Sequence, residues 1–185
     1  MPQAVDDHKW ALTEDENGLR AHADKSLAAN EAHATAPSFG IEGSWFDEGW
    51  FVSLWVPDNA VGVGALFLTG SAEQVVALAE ALRAVQRPDA VPVTIKANKL
   101  QVGINGTDGT IITPEVTFYP IQQYVPGVVH LEFSWPGFTE AVPWPFSPEG
   151  LGSMTDLLAT FAGRCAEIEA GEREHLLDRD EPPMA

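Results

Sequence analysis

The chain has 185 residues, with 27 acidic against 10 basic side chains and a formal net charge of −17. A surface of this sign repels nucleic acids and anionic membranes, so direct binding to either is not expected. Hydrophobic residues make up 45% of the chain and include six Trp and nine Phe, which is enough to build a folded core.

The chain holds a single cysteine, Cys165. An intramolecular disulfide and a zinc site of several cysteines are therefore excluded, as is typical of a reducing compartment. The first residues are acidic and lack the apolar run of a secretory signal. No window approaches the roughly 18 apolar residues of a membrane span. These features predict a cytoplasmic protein.

Three regions are predicted along the chain. Residues 1–38 are polar, with large apolar side chains too sparse for a core-facing helix. They are expected to form an arm that is partly helical and partly disordered, and that a partner could order. Residues 39–170 are expected to form a single α+β domain. Residues 171–185 are charged and contain Pro-Pro near their end, which predicts an acidic C-terminal tail.

A β-hairpin is predicted over residues 50–67. Apolar residues alternate along both halves of this segment, on either side of a turn at residues 57–60. A four-residue loop places Trp50 opposite Phe67 and makes every cross-strand pair on that side apolar. Such a pattern specifies the register of a hairpin.

The other side of the same hairpin carries large aromatic side chains opposite small residues. In the predicted register, Trp55 lies opposite Gly62 and Phe51 lies opposite Leu66. One interpretation is packing of a ring over a residue without a side chain; the other is a flat surface for a ligand or partner. Phe51, Trp55 and Gly62 are therefore candidate binding residues.

A helix is predicted directly after this hairpin. Ser71 is a favourable N-cap, and Gln74 three residues later completes a capping box. The helix is expected to end before Pro88. Its apolar stripe toward the core consists of Val75, Leu78, Ala79, Leu82 and Val85.

Strand and turn signals alternate in the next segment. Two short strands are predicted within residues 91–104, and Pro114 is expected to interrupt the strand that follows. Pro120 and Pro126 then bracket a predicted loop that exposes Tyr124. Tyr124 is the fourth candidate binding residue.

The order of strand, Pro-containing turn, strand and helix returns over residues 128–168. A two-residue loop at Pro136-Gly137 pairs Leu131 with Val142. The recurrence predicts a duplicated β-β-α unit; the alternative is chance recurrence of a common arrangement. The second helix is expected to begin after Ser147. Its apolar stripe consists of Leu151, Met154, Leu158, Phe161, Cys165 and Ile168.

Glu140 is the fifth candidate binding residue. In the predicted register it falls on the apolar face of Val142 and Trp144. A carboxylate among aromatic rings needs a hydrogen-bond partner or bears a large desolvation cost, and general acids are housed in such environments. The alternative is that Glu140 lies near the turn and reaches water.

The sequence contains no further pattern specific for catalysis. The five His residues match no metal-site spacing, and no nucleophile elbow is present. Cys165 lies on an apolar helical stripe, which indicates packing rather than nucleophilic attack. No catalytic residue, metal or cofactor is therefore predicted.

Together these patterns predict an α+β fold. We expect an antiparallel sheet of about seven or eight short strands, with two amphipathic helices packed on one face. The function expected is that of a non-enzymatic acidic interaction protein, which binds a protein partner as an inhibitor or assembly component or associates with itself. The alternative is a small-molecule-binding or enzymatic domain built on an aromatic and carboxylate pocket.

Overall fold

The computed structural model describes residues 10–15, 18–23, 40–46, 49–55, 63–104, 110–138, 140–146 and 148–179. Within these ranges the chain forms nine strands and two helices. The strands are β1 (Trp10–Asp15), β2 (Gly18–Ala23), β3 (Gly40–Phe46), β4 (Gly49–Trp55), β5 (Val63–Gly70), β6 (Val93–Ile104), β7 (Thr110–Val125), β8 (Val128–Ser134) and β9 (Val142–Phe146). The helices are α1 (Ala72–Ala84) and α2 (Pro148–Arg179).

The strands form one antiparallel sheet in which each strand pairs with its neighbours in sequence, from β1 to β9. The predicted α+β class is confirmed. The described strands number nine where about seven or eight were expected, and β6 and β7 are long, with 12 and 16 residues. β1 and β2 lie within residues 1–38, where a partly helical arm was expected. The rest of that predicted arm lies outside the described residues.

One face of the sheet and both helices bury a common hydrophobic core. Alternate residues of β4, namely Trp50, Val52 and Leu54, are buried in it, and so are the apolar stripes of α1 and α2. The ring of Trp50 meets that of Phe161 from α2 edge-on, with 6.3 Å between centroids. The helices therefore pack on the same face of the sheet. Neither described helix combines the length and the apolar character needed to cross a membrane.

Helix α1 begins as the sequence predicts. The hydroxyl of Ser71 accepts from the backbone N–H of Gln74 at 3.4 Å, and Oε1 of Gln74 accepts from the backbone N–H of Ser71 at 2.9 Å. The capping box is thus confirmed. The entire predicted stripe is buried: Val75, Leu78, Ala79, Leu82 and Val85.

Helix α2 supplies a further acceptor to the start of α1. Oε2 of Glu169 accepts a hydrogen bond from the backbone N–H of Ala72 at 2.7 Å, and only 7% of Glu169 is exposed. Ala72 is the first residue of α1, so its N–H has no acceptor within the helix. A carboxylate at this end also interacts favourably with the helix dipole. This contact ties α2 to the N-terminus of α1.

The predicted register of the hairpin formed by β4 and β5 is wrong. Trp50 pairs with Gly70 instead of Phe67. A shift of three residues exchanges the two faces of β5, because side chains alternate along a strand. Leu66 and Leu68 consequently enter the core. Phe67 lies within a run of four apolar residues, so the apolar pattern alone allowed either face to be buried.

Strand β7 continues through Pro114, where an interruption was predicted. The pairing of β6 with β7 shifts register between Lys96 and Leu100, and Pro114 lies opposite this irregularity. A proline has no N–H to donate, but a β-bulge does not require that donor. The bulge also joins the two strands predicted within residues 91–104 into the single strand β6.

Strand β9 pairs with β8 two residues away from the predicted register. Val142 lies opposite Phe133 instead of Leu131. The connection is longer than two residues, because β8 ends at Ser134 and β9 begins only at Val142. Within it, the N–H of Phe138 donates to the carbonyl of Trp135 and the rings of these two residues stack, with 4.3 Å between centroids. A shift of two preserves the faces of a strand, so the predicted core side of β9 is correct.

The order strand-strand-helix occurs twice in the fold, as β4-β5-α1 and as β8-β9-α2. Descent of the two units from a duplication stays a prediction. Ser147, the expected N-cap of the second helix, lies outside the described residues. The predicted stripe of α2 is buried from Leu151 to Cys165, and Ile168 packs against the same core.

Candidate functional site

The sheet has a second side, turned away from the helices, which we call the outer face. Hydroxyl groups pair across its strands. The Oγ1 atoms of Thr94 on β6 and Thr117 on β7 are 2.7 Å apart. Oη of Tyr119 on β7 lies 2.7 Å from Oγ of Ser134 on β8. The outer face therefore carries a line of short, uncharged hydrogen bonds over three strands.

Three side chains come together where β7 turns into β8. Tyr124 of β7 donates its hydroxyl hydrogen to Oε1 of Glu132 at 2.6 Å, and its ring lies 5.2 Å from that of His130, between centroids. The hydrogen bond to Glu132 raises the pKa of Tyr124 above its ordinary value of 10.0, and partial desolvation and the negative charge of Glu132 act in the same direction. The Tyr124 hydroxyl is therefore a protonated donor at neutral pH.

His130 is held in this cluster by packing. Its Nδ1 atom is shielded from solvent and has no hydrogen-bond partner within the described part of the chain. The ring is half-buried against Tyr124. Because the Tyr124 hydroxyl is already bonded to Glu132, the cluster presents an aromatic ring beside a carboxylate rather than an activated nucleophile.

The end of this hairpin, residues 121–130, is called here the hairpin tip. Among its exposed residues are two adjacent large hydrophobic side chains, Tyr124 at 66% and Val125 at 53%. The predicted exposure of Tyr124 is thus confirmed. The segment is strand where a loop was expected, since β7 runs on to Val125 and pairs there with Val128.

The backbone of the hairpin tip is paired on one side only, as far as the described chain extends. β6 pairs with β7 no further than Phe118, whereas β8 pairs with β7 as far as Val125. On the side away from β8, the N–H of Ile121 donates to the carbonyl of Val85 at the end of α1. Beyond Ile121, none of the described strands pairs with residues 122–125 on this side.

The other aromatic candidates lie elsewhere on the sheet. Phe51 belongs to the outer face, where it is half-buried and stacks on Phe67 at 5.8 Å with 25° between the rings. Trp55 pairs with Ala65, not with Gly62 as predicted, because of the register shift in this hairpin. Gly62 lies outside the described residues. The arrangement of Trp55 over Gly62 is therefore replaced by a Phe51–Phe67 stack.

Glu140 lies in the connection between β8 and β9 and is exposed. Since Val142 pairs with Phe133, the strand begins only after Glu140. Of the two alternatives for this carboxylate, the structure shows the one in which it reaches water. A role for Glu140 in binding stays a prediction, without the buried pocket that made it a candidate acid.

Glu132, His130 and Val125 were not singled out by the sequence, although they accompany Tyr124 in the hairpin tip. Two signals pointed to them. Pro126-Gly127 is a turn dipeptide, and Gly127 adopts a φ of 78° there. The alternation of β8 places His130 and Glu132 on the side away from the core. Pairing the two strands around this turn would have brought them to Tyr124.

Charge is unevenly divided between the two sides of the described molecule. Among the side chains that the structure describes, those of the outer face have nearly balanced charge, with a Lys96–Glu115 ion pair at 3.7 Å, Lys99 and Glu132. The helices expose more acids than bases. Their exposed acidic side chains include Glu73, Glu80, Glu149, Asp156 and Glu167.

Comparison with known proteins adds nothing to this picture. No family model, curated protein or solved structure matches the chain. Among the described side chains, no group of three or more His, Cys, Asp or Glu could hold a metal ion. The function must therefore be inferred from the chemistry of the hairpin tip and the distribution of charge.

Proposed function

We propose that the protein is a non-enzymatic acidic interaction protein that binds a protein partner through the hairpin tip. The exposure of Tyr124 and Val125 at adjacent positions is the observation that carries this proposal. Tyrosine is enriched among residues that dominate binding energy, because it combines a large apolar ring with a polar end. Here Glu132 and His130 hold that ring in place on a paired strand, so little conformational entropy is lost on binding.

The charge of the chain indicates the kind of partner. At −17 the protein attracts basic surfaces over long distances and repels other acidic ones. A basic protein is therefore favoured over nucleic acid, over an anionic membrane and over a second copy of this chain. Inhibition of a basic target and assembly with one are both compatible with such a surface.

Affinity capture from host extract with the tagged full chain tests the proposal. The variant replaces Tyr124 and Val125 by Ser; the control replaces Val91 by Ser, because Val91 is 67% exposed but lies outside the hairpin tip. A hot-spot tyrosine contributes about 2 kcal/mol, so the double variant should retain roughly 30-fold less of a stoichiometric partner. The control variant should retain as much as the wild type.

Salt separates specific from general attraction in the same experiment. A partner that survives a high-salt wash and depends on Tyr124 and Val125 supports the proposal. A mixture of basic proteins that is lost at high salt, or a partner that the double variant retains in full, contradicts it.

The second candidate function is binding of a small molecule on the outer face, and the Phe51–Phe67 stack is the observation that favours it. A flat aromatic ligand would extend that stack. Titration of a metabolite panel against the protein, followed by tryptophan fluorescence, should then show a change that a Phe51→Ala variant lacks. Equal responses of the two proteins would exclude the stack as the binding site.

A further inference from the structure

Two open sides of the described sheet, that of β9 and that of the hairpin tip, differ in their ability to accept another strand. β9 pairs with β8 alone in the described chain, and its sequence alternates proline with other residues. Residues at alternate positions direct their backbone groups to the same side, and a proline cannot donate to a ladder. Pro143 and Pro145 therefore occupy the positions that face away from β8. This edge is closed to a further strand.

The edge at the hairpin tip lacks such protection. Residues 122–125 are Gln-Gln-Tyr-Val, so each retains its N–H and none is charged. β8 pairs with this segment at Gln122 and Val125. On the other side, within the described part of the chain, the neighbouring backbone hydrogen bond is that of Ile121 with Val85. Native proteins usually block an open edge with proline or charge. This edge is uncharged and ends in the exposed residues Tyr124 and Val125. It is therefore suited to pairing with a strand of another molecule.

We propose that the hairpin tip binds its partner by strand addition: an extended, positively charged segment of a partner protein pairs with residues 122–125 on the side away from β8. This inference rests on the proposed function and specifies the shape and charge of the partner's segment. Main-chain hydrogen bonds supply affinity in this mode of recognition, and alternate side chains supply specificity.

The positive charge proposed for the partner's segment follows from the side chains that lie beside residues 122–125. Every second side chain of an added strand would stand on the outer face, beside the ring of Tyr124 on β7. The carboxylate of Glu132 lies one strand further, on β8, where it accepts from the Tyr124 hydroxyl. A Lys or Arg there can contact the ring of Tyr124, since a cation is attracted by an aromatic face, and the negative charge of Glu132 behind that ring acts in the same direction. A second copy of this chain would instead bring another net charge of −17 to the contact.

Four peptides test the proposal against the full-length protein. The first is a labelled, capped seven-residue peptide of alternating Lys and Val, and the second carries Glu in place of Lys. The third and fourth are Lys–Val peptides whose backbone nitrogens are methylated at the odd or at the even positions. Fluorescence anisotropy measures their affinities, and amide chemical shifts of the protein locate their site.

Strand addition has a specific signature in this set, because a strand uses the donors of only one of its edges. One methylated peptide should bind at least tenfold more weakly than the parent, whereas the other should bind like the parent. The Glu–Val peptide should also bind at least tenfold more weakly. Amide shifts should change at residues 121–130 and not at β1, the strand at the opposite end of the sheet.

Other results would overturn the proposal. Equal binding of the two methylated peptides, or amide shifts at β1, would exclude strand addition at the hairpin tip. Concentration-dependent dimerisation of the protein alone, with protection of residues 122–125, would assign the edge to a second copy. If a captured partner depends on Tyr124 and Val125 while the peptides show no edge dependence, strand addition fails and the proposed function stands. If the captured partner does not depend on them, both fail.

Discussion

Replacement of Glu169 by Ala perturbs the contact that joins the two helices. The carboxylate accepts from the backbone N–H of Ala72 at 2.7 Å, in a site where the side chain is 7% exposed. A hydrogen bond to a charged group contributes about 1.5–3 kcal/mol, and the favourable interaction with the α1 dipole describes part of the same energy. Truncation also removes one buried methylene group, which contributes about 0.8 kcal/mol. A loss of about 3 kcal/mol in unfolding free energy is expected.

Glu167 provides the matched control on the same helix. Its carboxylate lies 2.7 Å from the guanidinium of Arg164, but 68% of its side chain is exposed. An exposed ion pair of this kind contributes less than about 1 kcal/mol, so Glu167→Ala should change the unfolding free energy little. The unfolding free energy of Glu169→Gln should lie between those of the two Ala variants, because the amide keeps the volume and a hydrogen-bond acceptor but loses the charge.

Urea unfolding monitored by tryptophan fluorescence measures all three variants. Trp50 and Trp144 are buried in the core and report its exposure. Glu169→Ala should lower the urea midpoint far more than Glu167→Ala, with similar slopes of unfolding free energy against urea concentration. Equal midpoints for these two variants would refute the assignment of Glu169 as the acceptor that anchors α1.

Two further predictions concern titration. Burial and, to a lesser degree, the charge of Glu169 raise the pKa of Cys165 from an ordinary 9.0 to about 12. The thiol of the unfolded chain then loses its proton at lower pH than that of the folded chain, so the unfolding free energy should fall as pH rises from 9 toward 12, by up to about 1.4 kcal/mol per pH unit. Urea unfolding at several pH values should show that Cys165→Ala lacks this decrease. Parallel pH dependence of the wild type and the variant would contradict the prediction. For Tyr124, Glu132→Gln should lower the tyrosine pKa toward 10.0, because the carboxylate bond is the largest cause that raises it. Ultraviolet titration in a Tyr119→Phe background isolates this group, since the chain has two tyrosines, and an unchanged pKa would show that Glu132 is not the cause.

The helices were predictable because their signals are local. Ser71 and Gln74 specify the start of α1 within four residues, and the apolar stripes of both helices repeat within one turn. None of these signals requires knowledge of another part of the chain. The contact from Glu169 to Ala72 spans 97 residues, and no pattern near either residue indicated it.

Strand register was harder to predict, because it depends on loop length. An error of three residues in the β4–β5 pairing exchanged the faces of β5, since Phe67 and its neighbours are all apolar. An error of two in the β8–β9 pairing left the core faces correct but moved Glu140 from a predicted strand to an exposed connection. A register error of an odd number of residues exchanges the two faces of a strand, whereas an error of an even number leaves them unchanged.

The candidate site could likewise be predicted only where local signals specify it. Tyr124 was predicted to be exposed from the prolines around it, which is local information. Its contacts with Glu132 and His130 require the pairing of β7 with β8, and that pairing contains two register shifts. The open side of residues 122–125 depends in turn on where β6 stops. No feature of the Gln-Gln-Tyr-Val segment itself carries that information.

Hydrogen–deuterium exchange of the full chain, alone and bound to a partner captured from its host, shows whether the partner covers the hairpin tip. Binding through the hairpin tip predicts slowed exchange in residues 121–130, with the exposed surfaces of α1 and α2 unchanged. Slowed exchange confined to the acidic helices, with no change at the hairpin tip, would contradict the proposed binding surface.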